Sequence, residues 1–361
     1  MFDVEAENMS EEKMTPKERW LAVLRRRKPD RVPMDYWATD EVTKRLMQYL
    51  GCESLKELYE RLRIDAVISV GPKYAGPPVP EDADIYGCRY KYVEYGTGVY
   101  RECIYHPLAK YKTLGEIKGN YEWPRVELFD YSVIPDQILG YEEYPIRGGG
   151  SEPFLIYKDL RGQKQAFLDL IINPDMVHFC LDKLFDFCYE NTKLIYEQIP
   201  GKVMLSYVAE DLGSQTGLLY SPVHVHDFFI PRMKRMMDLA HRHGAYVFFH
   251  SDGAIRKIIS DMIKAGIDIL NPIQWRCIGM DRKGLKQDFG DKVIFHGGMD
   301  NQYTLVFGSE DEVRQEVRDN LSILGRNGGY ILAPCHNIQP VTPIGNILAM
   351  YDEGYMRGWS N

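Results

Sequence analysis

A histidine and an aspartate stand two residues apart at the end of an apolar run, Tyr246-Val247-Phe248-Phe249-His250-Ser251-Asp252-Gly253. Side chains at i and i+2 of a strand share a face, so His250 and Asp252 are expected to point the same way. A second imidazole follows another apolar run, Tyr330-Ile331-Leu332-Ala333-Pro334, which ends in Cys335-His336-Asn337. Two histidines and a carboxylate arriving from strand ends match a catalytic zinc site, which uses three protein ligands and leaves one position open. Cys335 is a softer donor that can replace either histidine. Alternation keeps Cys335 and His336 from both facing inward along one continuing strand, which favours His336. A His-x-Asp pair alone also serves to hold a loop by a hydrogen bond; it is the second strand end that brings the pattern to a metal.

Other reactive groups fall at the same kind of position. Glu210-Asp211 follows the run Val203–Tyr207, where the carboxylates could bind substrate, act as a base or cap the next loop. Asn271 and Gln274 follow Ile267–Leu270, and His296-Gly297-Gly298-Met299-Asp300 follows Val293–Phe295; Asn271, Gln274 and His296 are expected to contact substrate. Asp35, Tyr36, Trp37 and Tyr74 lie near the ends of the first two runs and suit an aromatic floor, although Trp37 also reads as ordinary core. The remaining histidines, His106, His178, His224, His226, His241 and His243, read as surface or packing residues.

Strand ends meet only where the fold brings them to one side. Eight runs read as strands: Val32–Tyr36, Ala66–Val70, Phe154–Tyr157, Val203–Tyr207, Tyr246–His250, Ile267–Leu270, Val293–His296 and Tyr330–Leu332. Capped helices stand between them. Thr15-Pro16-Lys17-Glu18 is a capping box opening the first, Asn173-Pro174 opens one reaching about Gln198, and Ser221-Pro222 opens Val223–Arg242. Ser309-Glu310-Asp311-Glu312 and Thr342-Pro343 open two more. Continuous apolar strands separated by helices imply a parallel sheet covered on its outer face. About eight such units predict a (β/α)8 TIM barrel over residues 31–361, with residues 1–30 as an N-terminal helical extension. An open doubly wound sheet would place a glycine-rich loop after its first strand, where this chain has Trp37-Ala38-Thr39-Asp40. Residues 78 to about 140 break the rhythm; Tyr90–Tyr105 alternates like a hairpin around Gly96-Thr97-Gly98, and the stretch reads as an insertion at the barrel rim.

Composition excludes several classes. A net charge of −8 gives no basic stripe for nucleic acid, and no apolar run approaches the length of a membrane span. The first residues, MFDVEAENMSEEKMT, are acidic and polar, unlike a signal or transit peptide. The seven cysteines form no CxxC pair and are odd in number, as expected of reduced thiols in the cytoplasm.

The segments that carry these groups resemble the uroporphyrinogen decarboxylase superfamily. They are Phe248-Phe249-His250-Ser251-Asp252-Gly253-Ala254-Ile255-Arg256, Ala265–Gln274, Phe295-His296-Gly297-Gly298-Met299-Asp300 and Ala333–Pro343, together with Met14–Arg19 and Lys28–Pro33. The similarity covers nearly the whole chain and is weakest over the insertion. It implies a (β/α)8 barrel with one of two chemistries. One branch decarboxylates uroporphyrinogen without metal or cofactor. The other holds zinc-dependent methyltransferases that work with a separate corrinoid (cobalamin) protein. Their zinc ligands, a His-x-Cys pair and a cysteine before a Thr-Pro, fall by position on His250, Asp252 and His336. Asp252 thus stands where the methyltransferases have a thiolate, and the resulting set is harder and suits oxygen activation. The decarboxylases carry an arginine-rich segment after the first strand; here Asp35-Tyr36-Trp37-Ala38-Thr39-Asp40 offers two acids and no arginine, which would repel a polycarboxylate.

The resemblance therefore implies a zinc-dependent methyltransferase that takes a methyl group from a small methoxylated, aromatic compound and passes it to a corrinoid protein. In that reading His250, Asp252 and His336 hold zinc, Glu210, Asp211 or Tyr74 orient the substrate, and Tyr36 and Trp37 pack against it. Two alternatives stand beside it. One is a metal-free decarboxylase or lyase of a small carboxylic acid using His336 and Asp211 for proton transfer. The other is a non-catalytic barrel that carries a tetrapyrrole or corrinoid.

Overall fold

The computed structural model describes residues 12–94 and 99–359. Seven strands form one parallel sheet whose spatial order follows the chain, six of them from the expected apolar runs: β1 (Ile68–Val70), β2 (Ile146–Ser151), β3 (Leu205–Ala209), β4 (Tyr246–His250), β5 (Ile269–Asn271), β6 (Ile294–Met299) and β7 (Tyr330–Pro334). Each gap between neighbours from β2 onward is crossed by helix, as parallel pairing requires.

The first expected strand, Val32–Tyr36, is not one. Pro33 lacks an N–H, so the segment makes a single parallel bridge, Met34 with Leu332. It nevertheless lies between the sheet's two edges. Asp35 N–H donates to Leu332 O (2.9 Å) and Leu332 N–H to Pro33 O (2.9 Å) on one side, while Asp65 N–H, just before β1, donates to Met34 O (2.7 Å) on the other. The sheet is thus curled until its edges are joined through residues 33–35.

Phe154–Tyr157 is a second correction. These residues belong to a helix, Pro153–Arg161, whose buried Phe154, Tyr157, Leu160 and Arg161 recur at helical spacing behind a proline at the first turn. The strand at this place is Ile146-Arg147-Gly148-Gly149-Gly150-Ser151, which three glycines hide from any apolar pattern. The glycines are there for contact: Gly150, at φ +137°, would put a Cβ 1.9 Å from Tyr207 O.

Between β1 and β2 the chain forms an antiparallel hairpin, Arg89–Glu94 with Val99–Tyr105, and a short pairing of Lys73–Tyr74 with Phe129–Asp130. The hairpin turn expected at Gly96–Gly98 lies outside the described residues, as does most of the acidic N-terminal stretch. The helix expected over Val223–Arg242 is interrupted, with a π turn at Val225–Phe229 before Ile230–Arg242. Among the described residues no helix is long and apolar enough to cross a membrane.

The interior of the curled sheet is filled from below by the first helix, Pro16–Leu24. Its capping box is formed as expected, with Thr15 and Glu18 exchanging hydrogen bonds. Trp20 and Val23 reach into a cluster with Met204, Leu205, Phe248, Ile269, Ile294 and Ile331, one from nearly every strand. Trp20 is fully buried and its Nε1–H donates to Asp65 O (2.8 Å). The same helix brings Arg19 onto Asp65, beside Arg31, whose Nη1 lies 2.7 Å from the other carboxylate oxygen of Asp65. Asp65 also accepts from Met34 N–H (2.9 Å), so one buried carboxylate ties the helix, the joining segment and the start of β1.

Removing one partner of a buried ion cluster leaves the others uncompensated, at a cost of about 3–5 kcal/mol. Asp65→Ala is therefore expected to lower stability by that order, read as a fall in the urea midpoint; an unchanged midpoint would show that Asp65 is not the tie.

Candidate active site

The register of the sheet aligns its reactive strand ends. Ala209 of β3 pairs with His250 of β4, and His250 with Asn271 of β5. Beyond these residues the loops after β3 and β4 are stitched together. Ser251 Oγ accepts from Leu212 N–H (3.0 Å), and Ala254 N–H donates to Ser214 O (2.7 Å). Gly213 and Gly253 permit this: a Cβ on Gly213 would stand 2.6 Å from Asp252 O, and Gly253 is at φ +86°.

The stitching brings Asp211 and Asp252 to one imidazole. His250 Nε2 lies 3.9 Å from Asp211 Oδ1 and 3.9 Å from Asp252 Oδ1. One donor atom from each of Asp211, His250 and Asp252 lies within 4.8 Å of the other two. His336 is outside this cluster, its ring centroid 6.3 Å from that of His250. Of the expected His250, Asp252 and His336, the first two are grouped with Asp211, and His336 stands beside that group. Cys335 is turned away, its thiol donating to Ile273 O (3.2 Å), and burial raises its pKa well above the ordinary value. That Cys335 and His336 face apart agrees with strand alternation.

The imidazole of His250 is oriented from behind. Its Nδ1–H donates to Asn271 Oδ1 (2.6 Å), Asn271 Nδ2–H donates to His296 Nδ1 (2.7 Å), and His296 Nε2–H donates to Asp35 Oδ2 (2.9 Å). Trp37 Nε1–H gives a further bond to the same oxygen (3.0 Å). With Asp35 ionised, each link has one donor and one acceptor, and the lone pair of His250 is left on Nε2, facing the two aspartates. Gln274 orients Asp252 in the same manner, through Nε2–H to Oδ1 (3.1 Å). Asn271, Gln274 and His296, expected to touch substrate, thus hold the groups that line the centre.

Three further expectations are resolved by placement. Glu210 is buried, and its Oε2 accepts from Phe154 N–H (3.0 Å) at the start of the helix Pro153–Arg161, so it caps that helix. Tyr74 bonds Pro77 O (2.9 Å) and lines a separate hollow with Tyr86 and Tyr90. Tyr36 and Trp37 do line a cavity of about 600 Å3, with Ser69, Arg147, Tyr207 and Asn337 among its other walls. Trp37 stacks on His250 at 5.8 Å and Tyr207 lies 5.7 Å from the same ring, so the cavity's aromatic walls reach the carboxylate cluster.

Sequence reasoning missed Glu152, Arg147 and Tyr207. Glu152 and Arg147 belong to the glycine-rich β2 and its end, and Tyr207 appeared only as part of an apolar run. Burial, then the charge of Asp211, pushes Glu152 up to about 7. Burial likewise raises Asp252, against the opposing pull of His250 and His336, and raises Glu210. Four carboxyl groups crowd the ends of β2, β3 and β4, a density that a bound cation would relieve.

Residues 131–354, more than half of the chain, match the sequence profile of the uroporphyrinogen decarboxylase (URO-D) family. The chain belongs to that family. Uroporphyrinogen decarboxylase of Pseudomonas putida (strain GB-1) is 26% identical to it over 222 residues, covering 60% of this chain and 55% of the relative. Methylcobamide:CoM methyltransferase MtaA of Methanosarcina barkeri is 26% identical over 208 residues, covering 58% and 57%. The match therefore spans little more than half the length of either relative. A solved structure, a methyltransferase from Methanosarcina mazei, superposes with a TM-score of 0.66 at 21% identity, over 95% of this chain and 98% of that one. The similarity in structure shows that this URO-D chain shares the methyltransferase's fold.

The donor set fits a divalent metal on the observed chemistry: two carboxylate oxygens and an imidazole nitrogen whose lone pair is exposed by a bond on its other side. Wild-type protein is expected to bind about one zinc ion, and His250→Ala to lose it, measured by elemental analysis after gel filtration. Asn271→Ala is expected to weaken the metal by about 10–100-fold through misorientation of His250. Equal metal in wild type and His250→Ala would refute the ligation.

Glu152 gives a second test. Its folded pKa is raised from 4.5 to about 7, so the folded state holds the proton more tightly than the unfolded chain, and stability is lost as pH rises through this window. Glu152→Gln, measured without metal, is expected to match wild type in Tm near pH 5 and to exceed it near pH 8. A gain that did not grow with pH would place the strain elsewhere.

Proposed function

We propose that this protein is a zinc-dependent methyltransferase that removes the methyl group of a small methoxylated arene and delivers it to a corrinoid carried by a partner protein. The observation that carries the reading is the cluster of Asp211, His250 and Asp252 at the open ends of β3 and β4, with His250 Nε2 directed at both carboxylates. Methyl transfer from an ether needs the departing oxygen stabilised as it gains charge. Zinc held by Asp211, His250 and Asp252 would supply a Lewis acid for that oxygen. An oxygen- and nitrogen-donor set suits this task better than thiolates would. The relative from Methanosarcina barkeri, whose name gives a methylated corrinoid as its substrate, supports the choice of acceptor.

The chain's own residues define the rest. Trp37 and Tyr207 form the flat walls for an aromatic ring beside His250. Asn271, His296 and Asp35 keep His250 in one tautomer throughout the reaction. His336, beside His250, would give a proton to the departing phenolate oxygen. A barrel of eight-fold type, with its eighth position taken by residues 33–35, accounts for the convergence of all these groups on one mouth. Uroporphyrinogen is a poor fit, since the cavity sets Asp35 and Asp40 beside one arginine, Arg147.

Purified protein, zinc, a reduced corrinoid protein and a panel of methoxyarenes are expected to give the absorption of methyl-cobalt, dependent on both metal and arene. His250→Ala is expected to lower the rate by at least about 100-fold, on the scale of a lost electrostatic stabiliser. A panel that yields no methyl-cobalt with metal bound would overturn the proposal.

A further inference from the structure

Arg147 is the cation that the site does not use. It stands on β2, and its Nε–H donates to Ser69 Oγ (3.0 Å), across the pairing of Ser69 with Arg147 in β1 and β2. Its two terminal nitrogens make no hydrogen bond, and no carboxylate lies within ion-pair distance, among the described residues. The carboxylate whose charge it feels most, Asp35, is engaged by His296, Trp37 and Tyr36 N–H. A guanidinium is an expensive group to withdraw from water unpaired. It stays here because its faces rest on rings: the guanidinium carbon lies 5.3 Å from the Tyr207 centroid and 5.9 Å from that of Trp37.

Those two rings are the ones against His250. Trp37 and Tyr207 therefore form a pair of walls with the unspent guanidinium at one end and the Asp211–His250–Asp252 cluster at the other. The cavity of about 600 Å3 that Trp37, Tyr207 and Arg147 line has room for one substituted ring. Its remaining acids, Asp35 and Asp40, belong to the segment after the joining bridge, so Arg147 is the one positive group on the walls.

We infer that Arg147 anchors the carboxylate of an aromatic carboxylic acid, whose ring lies against Trp37 and Tyr207 and whose far edge faces the His250 cluster. The inference rests on the proposed methyl transfer for its setting, and it narrows the arene to a methoxybenzoate. Fork geometry favours the assignment, because a guanidinium with both Nη groups free offers two parallel donors to a planar carboxylate. Bonding to Ser69 fixes the fork's direction.

The test is a binding measurement that needs no metal and no corrinoid. Full-length protein is titrated with benzoate, phenol and methanesulfonate, following tryptophan fluorescence and calorimetry, in wild type, Arg147→Gln and Arg147→Lys. Benzoate is expected to bind wild type, to lose at least about tenfold in Arg147→Gln, and to lose less in Arg147→Lys, in keeping with a charge-assisted bond. Phenol is expected to bind weakly and equally in all three. Equal benzoate affinity in wild type and Arg147→Gln, or no benzoate binding to wild type, overturns the inference. Methanesulfonate binding as tightly as benzoate, with the same dependence on Arg147, overturns it in favour of a small sulfonate. Thermal unfolding confirms that the variants fold; should Arg147→Gln not fold, a benzoate loss in Arg147→Lys with phenol unchanged supports the anchor, and no loss overturns it. Failure of methyl transfer with benzoate binding intact rejects the proposed function alone. Methyl transfer from neutral methoxyarenes without benzoate binding rejects the anchor alone.

Discussion

The bond from His250 Nδ1 to Asn271 Oδ1 is the constraint on which the candidate site depends. An imidazole has two nitrogens, and only the one not carrying hydrogen can donate a lone pair. Asn271 decides which, and it can do so because its own amide is oriented by His296, which is oriented in turn by Asp35. Asp35, at the far end, thus fixes through two intervening links which nitrogen of His250 faces the two aspartates. Four strands or strand-like segments contribute to this line, so it is a property of the curled sheet and not of a local motif.

Around that line the molecule accumulates negative charge. Glu152, Glu210, Asp211 and Asp252 sit at the ends of three adjacent strands, and burial and mutual repulsion push Glu152, Glu210 and Asp252 upward. Perturbed carboxyl groups of this kind gather where a site has work to do. A second buried ionic assembly, among several, at Asp65 is built the opposite way, with two arginines closing on one carboxylate and hydrogen bonds satisfying the rest. One end of the sheet is compensated and the other is left acidic.

Much of this was legible in the residues. Most of the seven strands fall within two or three positions of where short runs of Val, Ile, Phe and Leu report burial on both faces. The His250–Asp252 pair followed from strand alternation, and the family from the motifs around it. What escaped had physical causes. β2 is half glycine, chosen for backbone approach to Tyr207, and so carries no hydrophobic signature; Arg147 and Glu152 vanished with it. Phe154–Tyr157 is apolar on one helical stripe, which over four residues looks the same as a strand. Asp211 was recognised as reactive, but that it meets Asp252 and His250 depends on Gly213 fitting against Asp252, a tertiary fact. Asn271, Gln274 and His296 lie beside the centre, as their strand ends imply, yet they bond its side chains; sequence does not tell a residue that meets a ligand from one that steadies it.

The Trp20 plug has a consequence for traffic. Among the described residues, the lower end of the sheet beneath His250 is filled by an indole and the side chains of five strands. In the proposed methyl transfer, donor and acceptor would use the same doorway in turn. A bulky macromolecular visitor would then cork the opening while a small guest is still inside, and release of the spent guest would have to wait for the visitor to leave.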